Sequence, residues 1–232
     1  MDNASSILAL DASTEQGSVA LFVDGKLRGQ LVYRQPKAHA RLIAPMVNTL
    51  LHDLDVPANN LNAVAVISGP GSYTGLRVAT STAKGLCLAT GANLLSLSSL
   101  EMLALAARPA ASQLDAAIYP LIDARRMEVF AQMFDKKGKA QNEAQALLLE
   151  EQPFDELLQK EKVLFVGDGV TKAIPLLESF DNAYFIEEWP EGLAAIGPRL
   201  TEKLTNNEVE NLALFEPFYL KGVRITQSKK KK

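Results

Sequence analysis

The stretch GPGSYTGLRVATSTAKGL, residues 69–86, decides how the rest of this chain is interpreted. It follows the apolar run NAVAVIS, which is typical of a short buried strand, and it continues into apolar residues at helical spacing. A glycine-rich turn that leads from a strand into a helix directs free backbone N–H groups toward an anion, and the helix dipole assists. The stretch therefore predicts either a phosphate cradle or a tight structural turn.

The glycine spacing of this turn departs from the common nucleotide-binding signatures. GPGSYTG has the pattern G-x-G-x-x-x-G, whereas the dinucleotide fingerprint is G-x-G-x-x-G. A P-loop ends in Gly-Lys-Ser/Thr, but here Gly75 is followed by Leu76 and Arg77. Glycines that supply positive φ in a strand-to-helix turn explain the pattern as well as anion binding does.

The helix predicted after this turn carries a second face, opposite the one expected to pack on the core. A glycine in the middle of a helix costs roughly 1 kcal/mol relative to alanine, and the cost is explained if another helix packs closely against Ser81 and Gly85. The alternative is a neutral exposed glycine. We favour a partner interface on this face, which consists of Arg77, Ser81, Lys84, Gly85 and Leu88.

The second half of the chain repeats the pattern of the first half. Residues 117–138 mirror residues 7–25, because each segment is a strand ending in Asp-Ala, a turn, and a returning strand with an Asp/Gly turn. Residues 162–178 mirror residues 62–79 as strand, Gly-x-Gly turn and helix. Two ββ-αβα copies predict an α/β protein of two lobes around a cleft, each with a mixed sheet.

The repeat also predicts where the lobes divide. We expect an N-terminal lobe over residues 1–106, which carries the partner-binding helices, and a C-terminal lobe over residues 107–232. The sequence leaves open whether the last helix, around Leu193 to Leu204, returns to the first lobe.

The turn DAST, residues 11–14, is the other candidate site. At a turn that faces the cleft, Asp11 could hold Mg²⁺ while the hydroxyls of Ser13 and Thr14 meet phosphates, with Asp123 as a partner acid from the other lobe. Two arginines follow Asp123 directly, where a turn that wraps phosphate normally has small residues. The alternative for each aspartate is an ordinary ion-paired or capping role.

The sequence lacks the residue patterns that metal sites and nucleophilic catalysis usually require. His39 and His52 are about 20 Å apart along one helical segment, too far to share an ion. Cys87 falls on an apolar helix face, where cysteine behaves as a small hydrophobe. Ser98 and Glu101 have the spacing of a capping box, which explains them as the start of a helix. No metal site and no catalytic residue is predicted.

Composition and charge indicate a soluble cytoplasmic protein. The 232 residues are 47% hydrophobic and 22% charged, and the single cysteine suits a reducing compartment. No targeting segment is visible at MDNASS, and the longest charge-free stretch, residues 56–76, contains Asn, Pro and Gly, which argues against a membrane span. Six basic residues and no acid lie from Lys221 onward. The Lys229–Lys232 tail is therefore a candidate phosphate contact, and a solvated tail is the alternative.

These segments together resemble the bacterial TsaB (YeaZ) family, from about Ile7 to Val223. The combination of GPGSYTGLR with SSLEMLA is specific to that family. The other matching segments are ILALDASTEQGSVAL, AHARLIAPMVNTLL, IDARRMEVF, VGDG and EPFYLKGV.

The resemblance implies an actin/Hsp70-like (ASKHA) two-lobed fold and a non-catalytic role in tRNA modification. TsaB proteins act with the ATPase TsaE and with TsaD, a paralogue that transfers threonylcarbamoyl from threonylcarbamoyl-AMP to the tRNA adenosine beside the anticodon. TsaD holds a metal with a His-x-x-x-His pair, whereas the corresponding region here reads SSLEM, so no metal is expected.

The resemblance further implies pairing with TsaD through the N-terminal lobe helices and a homodimer when the chain is alone. No cofactor is required, ATP or ADP at the partner interface is a candidate, and tRNA is contacted mainly through the complex. The rival class is an actin-like ATPase or phosphotransferase that uses Asp11 and Asp123. We favour the accessory subunit, in which residues 69–86 set a turn and begin an interface helix.

Overall fold

The computed structural model describes residues 5–34, 39–187 and 192–221. Its first sheet has five strands in the order β3-β2-β1-β4-β5. The strands are β1 (Ser6–Asp11), β2 (Gly17–Val23), β3 (Lys26–Tyr33), β4 (Ala63–Ile67) and β5 (Asn93–Leu97). Three helices accompany them, namely α1 (His39–Asp53), α2 (Tyr73–Thr90) and α3 (Ser99–Leu114).

The second sheet also has five strands, in the order β10-β9-β6-β7-β8. The strands are β6 (Ala117–Asp123), β7 (Glu128–Ala131), β8 (Gln145–Leu148), β9 (Val163–Val166) and β10 (Ala183–Ile186). The helices of this half are α4 (Asp155–Leu158), α5 (Val170–Leu177), α6 (Gly192–Ala195) and α7 (Gly197–Thr205).

The two sheets have the same topology, which confirms the predicted duplication. In each one the first strand pairs antiparallel with the second and parallel with the fourth, so that both sheets are mixed. The turn between β2 and β3 has positive φ at Asp24 (50°) and Gly25 (73°), as expected for a tight hairpin. Strand β4, sequence AVAVI, is buried along its whole length, because helices cover both faces of this part of the sheet.

The helix α1 begins at His39 and continues through Pro45. Pro45 lies inside this helix. The apolar side of the helix faces the core of the first lobe, as its spacing predicts. Its buried residues are Ile43, Met46, Val47, Leu50 and Leu51.

Each lobe supplies helices that pack on the sheet of the other lobe. Helix α3 packs on the second sheet, where Leu103 joins a buried cluster with Ile118. The helices α6 and α7 pack on the first sheet, where Leu193 and Leu200 join a cluster with Phe22. The last helices therefore return to the first lobe. The predicted division between residues 106 and 107 lies inside α3 and stays a prediction.

Charged and polar contacts hold this exchange together. Arg199 Nε on α7 lies 3.0 Å from Glu101 Oε1 on α3. The backbone N–H of Glu101 donates to Ser98 Oγ at 2.9 Å, which is the N-cap contact of the predicted capping motif.

In the described ranges, no helix has the length and apolar character that crossing a membrane requires.

Candidate functional site

The glycine-rich turn packs directly on the DAST turn. The backbone N–H of Ser72 donates to the Ser13 carbonyl at 2.6 Å. A Cβ on Gly71 would lie 2.2 Å from the Ser13 oxygen, and one on Gly75 would lie 1.9 Å from the oxygen of Ala12. Both glycines are needed because two backbones meet here with no room for a side chain.

The start of α2 is closed on its other sides by the chain itself. Ser72 is the N-cap, and its Oγ accepts from the N–H of Gly75 at 3.3 Å. Gly69 has φ of +114°, and a Cβ there would lie 2.6 Å from the carbonyl oxygen of Phe218. The turn is thus enclosed by residues from both ends of the sequence, and this geometry supports the structural interpretation of its glycines.

The three candidate nucleotide contacts have unequal access to solvent. Asp11 is 3% exposed, and burial raises the pKa of its carboxyl group from 3.8 to about 6, although the hydrogen bond from the backbone N–H of Ser13 acts in the opposite direction. Ser13 is also buried, and within the described ranges its Oγ has no hydrogen-bond partner. Thr14 is half-buried. Of the three, only Thr14 presents appreciable surface to solvent.

Asp123 occupies the equivalent place in the second lobe but in another environment. Its Oδ1 accepts from the backbone N–H of Arg125 at 2.6 Å and forms an ion pair with Lys172. The backbone N–H of Asp123 donates to Asp168 at 2.8 Å. Asp11 is therefore a buried acid that accepts a local hydrogen bond, and Asp123 is an ion-paired acid at a turn.

The SSLEM region does not offer the donors that a metal would need. The hydroxyl of Ser99 donates to the Pro70 carbonyl at 2.6 Å, and the carboxylate of Glu101 is paired with Arg199. Both groups already have partners within the chain. Within the described ranges, no three His, Cys, Asp or Glu side chains cluster in a way that could hold an ion.

The predicted interface residues lie along one side of α2, which we call the α2 face (Arg77, Ser81, Lys84, Gly85 and Leu88). Leu88 is 79% exposed, which is unusual for a large apolar side chain. A Cβ on Gly85 would have no atom within 4 Å. The middle of the face is therefore open, and another backbone can approach it closely.

A segment far along the chain borders this face. Residues 211–221, here called the strap, run beside α2: Lys84 Nζ donates to the carbonyls of Ala213 and Phe215, at 3.2 Å each. Leu214, between these two carbonyls, is 78% exposed. Further along the strap, Lys221 forms an ion pair with Glu128 of the second lobe. The strap thus reaches from α2 to the other lobe.

Aromatic contacts fix the strap at the start of α2. The guanidinium of Arg77 lies 4.1 Å above the ring of Tyr73, and its Nε donates to the hydroxyl of Tyr219 at 3.2 Å. The rings of Tyr73 and Tyr219 are 5.1 Å apart. The sequence indicated Arg77 and Lys84 as interface residues but not their contacts with the strap. The run EPFYLKGV, residues 216–223, was the available signal for these contacts. Its adjacent aromatic residues, Phe218 and Tyr219, lie in a polar segment and need a surface that covers them.

The Lys229–Lys232 tail lies outside the described residues.

Comparison with known proteins identifies relatives of this chain. The family model described as "TsaD: tRNA N6-adenosine threonylcarbamoyltransferase" matches residues 30–225. A Bacillus subtilis protein named tRNA threonylcarbamoyladenosine biosynthesis protein TsaB is 33% identical over 132 residues, which are 57% of this chain and 56% of that protein. The matched part is thus about half the length of this relative.

Two solved structures resemble the fold. A Pseudomonas aeruginosa protein described as similar to peptidase YeaZ has a TM-score of 0.76 at 27% identity, covering 94% of this chain and all of that one. The activator of 2-hydroxyisocaproyl-CoA dehydratase from Clostridium difficile has a TM-score of 0.50 at 11% identity, covering 90% and 98% of the two chains. The second likeness concerns the fold alone.

The duplicated mixed sheets are those of the actin-like (ASKHA) fold, as expected. The matched model covers most of the chain, and the named relatives are TsaB and YeaZ proteins. The chain therefore belongs to the family of the tRNA N6-adenosine threonylcarbamoyltransferase TsaD, among its TsaB (YeaZ) members.

Proposed function

We propose that this chain is a non-catalytic accessory subunit in the biosynthesis of threonylcarbamoyladenosine in tRNA. It pairs with a TsaD-type paralogue and works with the ATPase TsaE. The paralogue transfers threonylcarbamoyl from threonylcarbamoyl-AMP to the adenosine beside the anticodon. The relatives named for this pathway support the assignment.

The observation that carries the proposal is the open α2 face. An exposed leucine, 79% accessible, lies one helical turn from a glycine with free space above it. Small residues at Ser81 and Gly85 are four positions apart, on one side of the helix, so that a second helix can approach to short distance. Leu88 supplies the apolar anchor that such an interface needs.

The strap enlarges this interface. Leu214 is held beside α2 by the two hydrogen bonds from Lys84, so it lies next to the α2 face. The partner surface in this proposal therefore consists of α2 together with the adjoining part of the strap. The same surface pairs two copies when the chain is alone.

The surroundings of Asp11 and Asp123 support a non-catalytic role. Asp11 is buried and Asp123 is ion-paired, so neither resembles an acid held free for Mg²⁺. The glycine turn is occupied by the carbonyls of Ala12 and Ser13, where a phosphate cradle would present free N–H groups. We therefore propose that the chain acts in the cytoplasm without a required cofactor, and that any ATP or ADP is bound at the partner interface.

The test is threonylcarbamoyl transfer to tRNA by TsaD, TsaE and threonylcarbamoyl-AMP, with and without this chain. We expect product only when TsaD and this chain are both present.

The variant Gly85→Leu fills the open space over α2, so it should fold normally but weaken pairing with TsaD by more than about tenfold. Ser112→Leu, which adds the same side chain at an exposed position of α3, is the matched control.

Product formed by this chain without TsaD would contradict the proposal and favour the actin-like ATPase or phosphotransferase. The variant Asp11→Asn separates these functions further. An accessory subunit keeps its effect on transfer in this variant, whereas an ATPase that depends on Asp11 loses Mg·ATP binding.

A further inference from the structure

The second lobe carries an open pocket between residues 149–155 and residues 176–180, here called the α5 pocket. It encloses about 260 Å³. Its floor is apolar, because Leu149, Phe154 and Leu177 belong to the buried core of this lobe. At its edge, the large apolar side chain of Leu176 is 41% exposed. The pocket therefore presents an apolar floor and an apolar edge to solvent.

The floor of the α5 pocket is held in place from below. The ring of Phe154 lies 5.0 Å from the ring of Tyr119 and 5.1 Å from that of Phe165, edge-on in both cases. On the other side of the pocket, the backbone N–H of Phe180 donates to the Leu177 carbonyl at 3.1 Å. Because packed rings and a hydrogen-bonded turn fix its walls, the pocket is preformed, as binding sites usually are.

The volume of the pocket selects the size of its ligand. An apolar cavity of about 150 Å³ accommodates benzene, whereas the sites of drug-sized ligands begin at about 300 Å³. At about 260 Å³, the α5 pocket has room for one large apolar side chain and lies below the range of small-molecule sites. Its dimensions thus fit a side chain that another protein inserts.

The surroundings of the pocket are acidic, which selects the charge of the ligand. In the part of the chain that the structure describes, none of the carboxylates of residues 150–156 and 178–181 forms an ion pair. The two segments contain no lysine or arginine. Asp155 lines the pocket, and the other acids are exposed. Uncompensated negative charge around an apolar pocket attracts basic partners and repels acidic ones. The six acids are Glu150, Glu151, Asp155, Glu156, Glu178 and Asp181.

We infer that the α5 pocket is a docking site for a basic segment of a partner protein. The segment inserts one large apolar or aromatic side chain between Phe154 and Leu176, and the lysines or arginines beside that side chain meet the carboxylates. The buried anchor supplies most of the binding energy, and the charges supply the specificity. The pocket lies in the second lobe, whereas the α2 face lies in the first, so this is a second partner surface.

The test measures binding of fluorescent, end-blocked peptides to the isolated full chain by anisotropy. Three peptides are compared: KKFKK, KKGKK, which lacks the anchor, and EEFEE, which reverses the charge. We expect KKFKK to bind at least about tenfold more tightly than either of the others at low salt. Its affinity should fall as added salt screens the carboxylates. The same peptide should shift the amide NMR signals of residues 149–155 and 176–180.

The apolar contribution is tested by a pair of leucine variants. Leu176→Ala removes the edge of the pocket and should weaken the binding of KKFKK by at least about fivefold. Leu27→Ala removes the same side chain from β3 in the other lobe, where it is also 41% exposed, and should leave binding unchanged.

The electrostatic contribution is tested by a pair of charge variants. Asp155→Asn/Glu178→Gln removes two carboxylates beside the pocket and should weaken KKFKK and reduce its salt dependence. Glu15→Gln/Glu143→Gln removes two exposed carboxylates elsewhere and should change neither quantity. Equal effects of the two double variants would show that only the net charge of the chain attracts the peptide, which contradicts a local site.

Several results would overturn the inference. One is the absence of KKFKK binding up to about 1 mM peptide. Another is equal binding of KKFKK and KKGKK, which indicates an acidic surface without a pocket, and a third is equal binding of KKFKK and EEFEE. A second copy of this chain is the competing occupant. If Leu176→Ala but not Leu27→Ala dissociates a dimer in sedimentation, the copy fills the pocket and the inference is wrong.

The accessory function fails by a different measurement. Gly85→Leu should lose pairing with TsaD and keep the binding of KKFKK, because Gly85 lies on the α2 face. Loss of both in this variant would contradict the separation of the two surfaces.

Discussion

Arg77 Nε donates to the hydroxyl of Tyr219 at 3.2 Å, although the two residues are 142 positions apart in the chain. The contact joins the first turns of α2 to the strap. This hydrogen bond, which Arg77 donates to Tyr219, raises the pKa of the Arg77 guanidinium, which is fully ionised in any case. This hydrogen bond matters because it holds the strap beside α2, where the strap adjoins the proposed partner surface.

The strap should loosen when its aromatic anchor is removed. Tyr219→Ala deletes both the acceptor for Arg77 and the ring beside Tyr73, whereas Tyr219→Phe deletes only the hydroxyl. We expect faster hydrogen exchange at the Phe218 N–H, which donates to the Ser68 carbonyl at 2.8 Å, in the alanine variant. The phenylalanine variant should lie between it and the unchanged chain. Equal exchange in all three would show that the backbone alone holds the strap.

Two glycines of α2 should respond oppositely to the same substitution. Gly75→Ala places a Cβ 1.9 Å from the Ala12 oxygen, so the two turns must separate, at a cost of about 3 kcal/mol or more. Gly85→Ala meets nothing within 4 Å and should stabilise the chain by up to about 1 kcal/mol through helix propensity. Urea unfolding of both variants checks this prediction. A neutral Gly75→Ala would contradict the close contact between the turns.

Stability should depend on pH through Asp11. Burial raises the pKa of this carboxyl group to about 6 from 3.8, so the folded state holds its proton more strongly than the unfolded state does. This contribution is complete below about pH 4 and is lost as the pH rises through about 6. Asp11→Asn removes that dependence and should raise the free energy of unfolding at pH 8 by about 2–3 kcal/mol.

The measurement for Asp11 is the difference between variant and unchanged chain in urea unfolding at pH 4.5, 6 and 8. Glu15→Gln, at an exposed position of the same turn, is the control for a lost charge. A difference that stays constant across these pH values would show that the carboxyl group of Asp11 titrates at its ordinary pKa.

The returning helix should behave as part of the core of the first lobe. Leu200 on α7 is completely buried in the cluster that contains Phe22, so Leu200→Ala should cost about 2–5 kcal/mol. Leu214→Ala removes the same side chain from a position that is 78% exposed and should be nearly neutral for stability. Chemical unfolding compares the two variants, and similar losses would argue against this packing.

Local patterns were sufficient for much of the architecture. Apolar runs predicted strands, the Asp/Gly turn at Asp24 and Gly25 predicted the hairpin, and the spacing of Ser98 and Glu101 predicted the start of α3. These features depend on residues within a few positions of one another. The repeat of the Asp-Ala turns at Asp11 and Asp123 extended the same reasoning to the duplicated lobes.

The environment of the site residues could not be predicted in that way. Asp11 and Asp123 share a sequence pattern, but one is buried and the other is ion-paired, because different segments pack over them. Nothing close in sequence to Lys84 indicates that it binds the carbonyls of Ala213 and Phe215. Such contacts leave no periodic signal in a single sequence.

By itself, the sequence determined the class of the protein: a duplicated α/β chain whose glycine turn lacks the residues of a nucleotide loop. The tertiary structure alone decided that α3 and α7 pack on the sheet of the opposite lobe and that the strap lies against α2. The physical reason is that hydrogen bonding and side-chain periodicity act locally along the chain. Helix exchange and long-range ion pairs depend instead on which apolar surfaces remain to be covered once the two sheets have formed.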